Sequence, residues 1–520
     1  MSLTDKVIKN TFYHFISQII GFLFPFILTP IIISKIGEIE FGIYAITLGF
    51  IGTFGLFDLS ISTSFIKFIS EHYNKRDIKE LNNTINTGFT FYLLFSLIIC
   101  SVGYVLANYL ISIINVPPEL MDTGIFAIRI SLLIFFVANS TTIFVSILIS
   151  LQKMYVNSLL GIIINFLNFV SIYILLNMGF GLRGLLYSQL AAVGISGFFN
   201  FYLAKREMPE MSFSLKNLKL ASFKKMSSFG AQMQVSRIAS FASEKYDELL
   251  LGYFSVLSNV TYFNLAGRVS KLGRFFPFQL FQQVAPVAAE LNAKGEKEKL
   301  NQLYTDTTKY LTIATLPIFI YIFAFADLIL MSWMGEKYTL TVYLLRILVF
   351  GQIVNLTLSA PGNAIIPNLG KPKYLMREGI ISLGINLVLS FLLIKYLGII
   401  GAALGSTIAI IISSVYIFYS SSRFFKEKKF SFLTKNYIYP LVICVVCCLV
   451  TYSIYYLFVN NLFMVTDRFS GVVYLISTGL VFASSYIFWL LSSKYLNQKD
   501  KNNFAKLINH ISPVKLKVNQ

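Results

Sequence analysis

Arg268, Lys271 and Arg274 recur at three-residue intervals inside a stretch that otherwise reads as a membrane-spanning helix, one of the two least hydrophobic, placed by the alternation of the loops. The helix expected just before it, 229–254, carries Gln234, Arg237, Glu244, Lys245, Asp247 and Glu248. A charge in the hydrocarbon core costs several kcal/mol unless it faces protein or a water-filled cavity. So dense a cluster implies a polar chamber within the membrane, and several fixed cations there suit an anionic cargo. On a helical wheel Gln234, Arg237, Glu244, Lys245 and Glu248 fall within about a 100° arc, with Asp247 beside it. Asn264, Arg268, Lys271, Arg274 and Gln282 form a similar stripe on the next helix. Residues equally far from the turn near residue 256 lie at similar depth. Arg268 is then level with Glu244 and Lys245, and Arg274 is nearer the level of Arg237, where no acid is available. Arg237 and Arg274 are therefore the first candidates to hold an anion, because guanidinium binds phosphate in a bidentate fork. Arg268 and Lys271 either join that site or pair with Glu244 or Glu248, and the whole cluster could instead be an ion-pair network joining two helices. Gln234 and His14 complete the candidate cavity, although His14 could equally be an interhelical hydrogen-bonding group. Glu244, Asp247 and Glu248 are the groups that could take H⁺ or Na⁺.

The sequence shows no catalytic constellation: no phosphate-binding glycine loop, no metal-ligand spacing and no acidic pair in a loop. No cofactor or metal is expected. Cys444, Cys447 and Cys448 have a metal-like spacing without a His or second pair nearby, and read as small buried hydrophobes.

The elements that must position these residues are helices. The chain has 520 residues, 56% hydrophobic and only 13% charged, with a mean hydropathy of +0.70, whereas soluble domains are about a quarter charged. Apolar runs of about 20 residues recur from end to end, which makes this a polytopic all-α membrane protein. The expected spans are 11–34, 41–65, 88–115, 121–149, 157–178, 184–203, 229–254, 257–284, 308–332, 341–366, 376–397, 400–421, 436–459 and 470–493, fourteen in all. Lys and Arg favour alternate loops by about sixfold in one phase throughout, so both termini are expected in the cytoplasm. The net charge of +19 belongs to this bias and to contact with anionic lipids rather than to nucleic acid.

An internal repeat organises the spans. Gly161-Ile-Ile-Ile with Asn168 recurs as Gly379-Ile-Ile-Ser with Asn386, a shift of 218 residues; Ile43-Tyr44 faces Thr261-Tyr262 at the same shift. Gly181-x-x-Gly184 recurs as Gly398-x-x-Gly401 at a shift of 217. Six spans per repeat is an even number, so the halves share orientation. The expected division is an N-lobe at 1–206, an amphipathic cytoplasmic connector at 207–228, a C-lobe at 229–425, two further spans within 426–495 and a basic tail at 496–520.

Several segments resemble one family. They are Ile36-Gly37-Glu38-Ile39-Glu40-Phe41-Gly42-Ile43-Tyr44-Ala45, Phe57-Asp58-Leu59-Ser60 followed by Phe65-Ile66-Lys67-Phe68, and Asp247 with Leu251-Gly252 and Tyr262. Val284-Ala285-Pro286 with Glu290, and Leu369-Gly370-Lys371-Pro372-Lys373, complete the set. Together they are similar to polysaccharide (O-antigen type) flippases, among the multidrug/oligosaccharidyl-lipid/polysaccharide exporters. The resemblance implies two six-helix lobes around a central cavity, worked by alternating access in a bacterial inner membrane. It also implies an undecaprenyl-diphosphate-linked oligosaccharide as cargo, with polymerase or assembly proteins as partners. A multidrug or metabolite exporter of the same superfamily is the alternative; such proteins favour acids without compensating Arg. A membrane polymerase or ligase would carry a large outer loop, absent from these spans.

Overall fold

The computed structural model describes residues 3–55, 61–213, 245–282, 284–335, 338–425, 434–461, 468–493 and 495–496. Its regular elements among these residues are helices. They are α1 (Leu3–Gly55), α2 (Ile61–Asn74), α3 (Ile78–Ile113), α4 (Met121–Ser150), α5 (Met154–Asn177), α6 (Gly181–Glu207) and α7 (245–254). Then follow α8 (Leu257–Gln282), α9 (Val284–Ala293), α10 (Lys297–Ala324), α11 (Ala326–Met334), α12 (Thr339–Val354) and α13 (Ala360–Ile365). The last are α14 (Lys373–Leu397), α15 (Ile399–Phe424), α16 (Tyr439–Asn461) and α17 (Arg468–Ser492). Ten stretches of described helix are long and apolar enough to cross a membrane. The protein is a multi-pass membrane protein.

Local chemistry sets the breaks. Gly37 has φ 80° and ψ 171° inside α1, a backbone region essentially confined to glycine, where another residue is strained by about 1–3 kcal/mol. It separates the first two expected spans without a loop. Pro25 and Pro30 interrupt the same helix, and the Thr29 hydroxyl donates to the Pro25 carbonyl at 2.6 Å, a back-bond that accompanies helix bending. Asp77 caps α3 by accepting from the Glu80 amide at 3.0 Å. That cap starts the helix ten residues before the span expected at 88–115. The expected 308–332 span is two helices, α10 and α11, broken at Phe325.

The helix expected at 341–366 is also irregular. A π-helical turn at Asn355–Ser359 links α12 to α13, just ahead of Pro361. Proline has no N–H for the carbonyl four residues back, and the Tyr437 hydroxyl donates to that Thr357 carbonyl at 3.1 Å instead.

The chain forms two compact units. The first comprises Met1–Arg268 with Gly379–Ala409, and the second Val269–Glu378 with Ile410–Gln520. In the first, Phe65, Ile69, Ile85, Tyr92, Ile143 and Ile147 form a core with Ala204, Met208 and Met211. Asn82 and Asn86 bind the carbonyls of Glu210 and Ser212 beside it at 3.0 and 2.7 Å. In the second, Ile313, Leu316, Phe325 and Leu328 pack against Cys444, Cys447, Cys448, Phe482 and Tyr486. The cysteines are indeed buried and unbridged.

Candidate functional site

The first unit contains a continuous polar chain built on α7 and α8. Lys245 pairs with Glu248 at 2.8 Å. Asn264 Nδ2 donates to Glu248 Oε1 at 3.0 Å, and Asn264 Oδ1 accepts from Arg268 Nε at 2.8 Å. Arg268 then donates to the Thr29 hydroxyl at 2.9 Å and lies over the Phe41 ring, 5.5 Å from its centroid. Asn264 works here because an amide presents a donor to the acid and an acceptor to the guanidinium. The chain carries one net positive charge, two cations against one acid, and the neutral Thr29 hydroxyl accepts a further guanidinium donor.

Arg268 is thus tied by Asn264 and Thr29 and linked through the amide to Glu248. Glu244, its expected partner, lies outside the described residues, as do Gln234 and Arg237. Lys271 is exposed. His14 does not join this chain: it lies 15 residues, roughly 22 Å of helix, before Thr29 on α1, and is 3.4 Å from Gln18.

Asp247 faces a different set of partners, on α14 and α15. It is buried, 1% exposed. Ser406 donates to its Oδ2, Asn386 Nδ2 lies 3.4 Å from the same oxygen, and Asn386 also bonds Ser390 at 3.1 Å. Asp247 Oδ1 and Asn386 Oδ1 are buried and meet no hydrogen-bond donor among the described residues. A carboxylate with amide and hydroxyl oxygens is a hard donor set, suited to a proton or a small hard cation such as Na⁺ and not to a soft transition metal. Among the described residues no three His, Cys, Asp or Glu side chains gather as a metal centre.

Two glycines make this site possible. A Cβ at Gly401 would stand 2.1 Å from the Leu393 carbonyl oxygen, and one at Gly405 would stand 2.5 Å from Ser390 Oγ. Only hydrogen fits there, so α14 and α15 approach closely enough to deliver Ser406 to Asp247.

In the second unit Arg274 lies within electrostatic reach of Glu378. The expectation that no acid stands at its level is therefore corrected. That acid comes from α14, outside the hairpin of α7 and α8.

Thr29, Ser390, Ser406 and Glu378 are not among the residues the sequence singles out. A signal for some of them was present: the 218-residue shift that relates Asn386 to Asn168 also relates Ser406 to Ser188 and Asp247 to Thr29. In the first repeat Ser188 donates to Asn168 Oδ1 at 2.7 Å, so the Asn–Ser pair recurs there with Thr29 in place of the acid.

The motif around Gly37 also acquires a reason. Following the break, the Tyr262 hydroxyl donates to the Glu38 carboxylate and the Thr261 hydroxyl to the Glu38 carbonyl, each at 2.6 Å. A Cβ at Gly42 would stand 2.5 Å from the Leu257 carbonyl oxygen.

The sequence profile described as "Polysaccharide biosynthesis protein" matches residues 7–292. The chain belongs to that family. A second profile, MatE, matches 235–392, which places this family member within the multidrug/oligosaccharidyl-lipid/polysaccharide exporter superfamily, among transporters of the flippase kind. The chain is similar to a low-salt glycan biosynthesis flippase of Haloferax volcanii, 23% identical over 47% of this chain and 50% of the relative. That alignment spans half the relative's length. It is also similar to an O-antigen transporter of Shigella flexneri, 24% identical over 79% of this chain and 97% of the relative. A solved structure of the lipid II flippase MurJ in an inward closed conformation covers 93% of this chain and 99% of its own, with a TM-score of 0.70 at 18% identity. That likeness gives the polysaccharide-family chain its fold class, the all-α, two-lobe arrangement.

Proposed function

We propose that the protein flips a lipid-linked oligosaccharide carried on undecaprenyl diphosphate from the cytoplasmic to the outer leaflet, for surface polysaccharide synthesis. The observation that carries this reading is the row Arg268, Lys271 and Arg274 on one helix, α8, of a polysaccharide-family chain. A diphosphate is the anionic group that such a row suits. In this reading the diphosphate enters from the inner leaflet, its phosphates meet Arg237 or Arg274, its sugars occupy the wet cavity and its polyprenyl tail stays in lipid. The lobes 1–206 and 229–425 alternate about the connector 207–228, in an inner membrane with both termini cytoplasmic. An inside-negative potential favours outward movement of the anionic head by roughly 2.3 kcal/mol per charge per 100 mV. Asp247, with Asn386, Ser390 and Ser406, takes H⁺ or Na⁺ during the return. A polymerase or assembly complex at the outer face receives the product.

The MatE match supports a second reading, export of a drug or metabolite. Cationic drugs suit this row of arginines poorly, so an anionic metabolite is its natural form.

The test is flipping of a fluorescent undecaprenyl-diphosphate oligosaccharide in vesicles containing the purified protein. Flipping by wild type, with Arg237→Ala and Arg274→Ala each inactive at normal protein level, is the expected result. Arg237→Lys should restore little, since Lys offers a point charge and not a fork. Full activity of both alanine variants would make these arginines structural, and absence of flipping by wild type would favour the exporter.

A further inference from the structure

Arg129 is a charge inside a membrane span that the rest of the protein leaves unanswered. It lies on α4, within the apolar span Pro118–Ser150. Arg268, Arg346 and Arg468 each donate to an oxygen of the protein. Arg129 donates to none among the described residues, and its Nε is buried without a partner. What meets it is a ring: the guanidinium carbon lies 4.4 Å from the centroid of Tyr104 on α3, a cation–π contact. That contact uses the face of the guanidinium and none of its N–H donors. The residue as a whole is only partly buried, so the fork beyond Nε is open.

Arg183 lies nearby, in the first turn of α6. It is exposed, and its guanidinium carbon lies 5.2 Å from the centroid of Phe126. Phe126 stands one turn before Arg129 on α4. It meets Tyr187, one turn after Arg183, edge-on at 5.7 Å. Two arginines and three rings from α3, α4 and α6 therefore make one patch within the first unit.

The patch has a shallow side and a deep side. Cβ atoms tilt toward a helix N-terminus. α4 and α6 both begin at the end that the loop charges assign to the outside, so Arg129, two turns in, reaches back toward the outer headgroups. On the shallow side lie exposed Asn108 and Asp122. On the deep side, exposed Leu97 on α3 and Leu133 on α4 make a surface for acyl chains. Asp122, in the first turn of α4, answers the helix N-terminus. Among the described residues neither it, nor Glu119, nor Glu40 beside Gly181 forms an ion pair with either arginine. A guanidinium fork without a protein acceptor matches the paired oxygens of a phosphate. With no acid paired to either cation, a lipid of net negative charge is favoured over a zwitterionic one.

We propose that Arg129 and Arg183, resting on Tyr104 and Phe126, hold the phosphate of an anionic phospholipid in the outer leaflet. The phosphate supplies the acceptors that the protein withholds, and the acyl chains run inward past Leu97 and Leu133. The site is separate from the α7–α8 chain and from the Asp247 group, and it does not depend on the flippase reading.

The experiment reads thermal melting of the purified full-length protein in detergent as phosphatidylglycerol, phosphatidylcholine, inorganic phosphate or undecaprenyl diphosphate is added. Wild type is compared with Arg129→Met, Arg183→Met, Tyr104→Leu and Lys395→Met, the last a control cation in the final turn of α14. Each arginine change should lower the phosphatidylglycerol affinity about fivefold, and Lys395→Met should leave it unchanged. Phosphatidylcholine should be the weaker ligand of the wild type. Tyr104→Leu should also weaken phosphatidylglycerol, because the guanidinium loses the ring that places it. Arg129→Met removes a buried N–H without a partner, so in the absence of lipid it should melt at or above the wild-type temperature. Its lipid response is then read on a folded protein, and exposed Arg183 gives a second reading. Equal phosphatidylglycerol affinity in wild type and both arginine variants, or an equal loss in Lys395→Met, would overturn the proposal. Inorganic phosphate that stabilises as well as the lipid would make this an ion site. Displacement of phosphatidylglycerol by undecaprenyl diphosphate in wild type but not in Arg129→Met would make it a cargo site. Either result would overturn the phospholipid assignment.

Discussion

The Arg268 guanidinium and the Thr29 hydroxyl, 239 residues apart in the chain, share a hydrogen bond of 2.9 Å. Thr29 stands where the repeat places the counterpart of Asp247. A cation from the second repeat therefore bonds the first-repeat position that lacks the acid. The Thr29 hydroxyl also donates to the Pro25 carbonyl at 2.6 Å, which leaves its oxygen free to accept from Arg268.

Removing that guanidinium should cost more than removing the hydroxyl. Arg268→Ala leaves the Asn264 carbonyl and the Thr29 hydroxyl without their charged donor, while Glu248 keeps Lys245, a loss of about 1.5–3 kcal/mol for a hydrogen-bonding charge. Thr29→Val removes a single hydrogen bond, about 1 kcal/mol. Thermal unfolding in a fixed detergent should rank the two accordingly. A double variant that is simply additive would show that the 2.9 Å contact carries no energy.

Asp247→Asn should abolish stabilisation by whichever cation the site takes. In cation-free buffer the same variant should melt at or above the wild-type temperature, because it removes a buried carboxylate whose Oδ1 meets no donor among the described residues. Asn386→Ala and Ser406→Ala should weaken the cation response about tenfold each, equivalent to about 1.4 kcal/mol. Melting curves across a Na⁺ titration at several pH values read all three, and an undiminished Na⁺ or H⁺ response in Asp247→Asn would remove the site.

Gly401→Ala should separate α14 from α15. Its Cβ would meet backbone atoms of Leu393 and Ile394 at 2.1–2.7 Å, which cannot rotate away as a side chain can. The expected loss is about 1–3 kcal/mol, together with a weaker cation response as Ser406 withdraws from Asp247. Gly384→Ala, with nothing within 4 Å of its Cβ, is the control. Similar melting of the two variants would show that the close approach is not required.

The topology has a direct check. A cysteine at Asn461 should react with a membrane-impermeant maleimide added outside cells, and one at Lys216 should not. The opposite pattern would place the basic loops outside and reverse the direction of flipping.

The sequence by itself determined the fold class and the polar face. Apolar runs of membrane length and a loop-charge bias in a single phase leave a polytopic helical protein as the one arrangement that satisfies the backbone. The spacing of Arg268, Lys271 and Arg274 makes them neighbours on one helix because helical geometry is local. The repeat was legible for the same reason, since Asn168 and Asn386 sit in matching local patterns.

Tertiary structure decided who answers each charge. Asp247 meets residues 139 and 159 positions away, and Arg268 reaches Thr29. The Asp247 pairing depends on the close approach of α14 and α15 at Gly401 and Gly405. Serine, threonine and asparagine are common on membrane helices, so Ser406, Thr29 and Asn363 acquire a role only when packing brings a charge within hydrogen-bond distance.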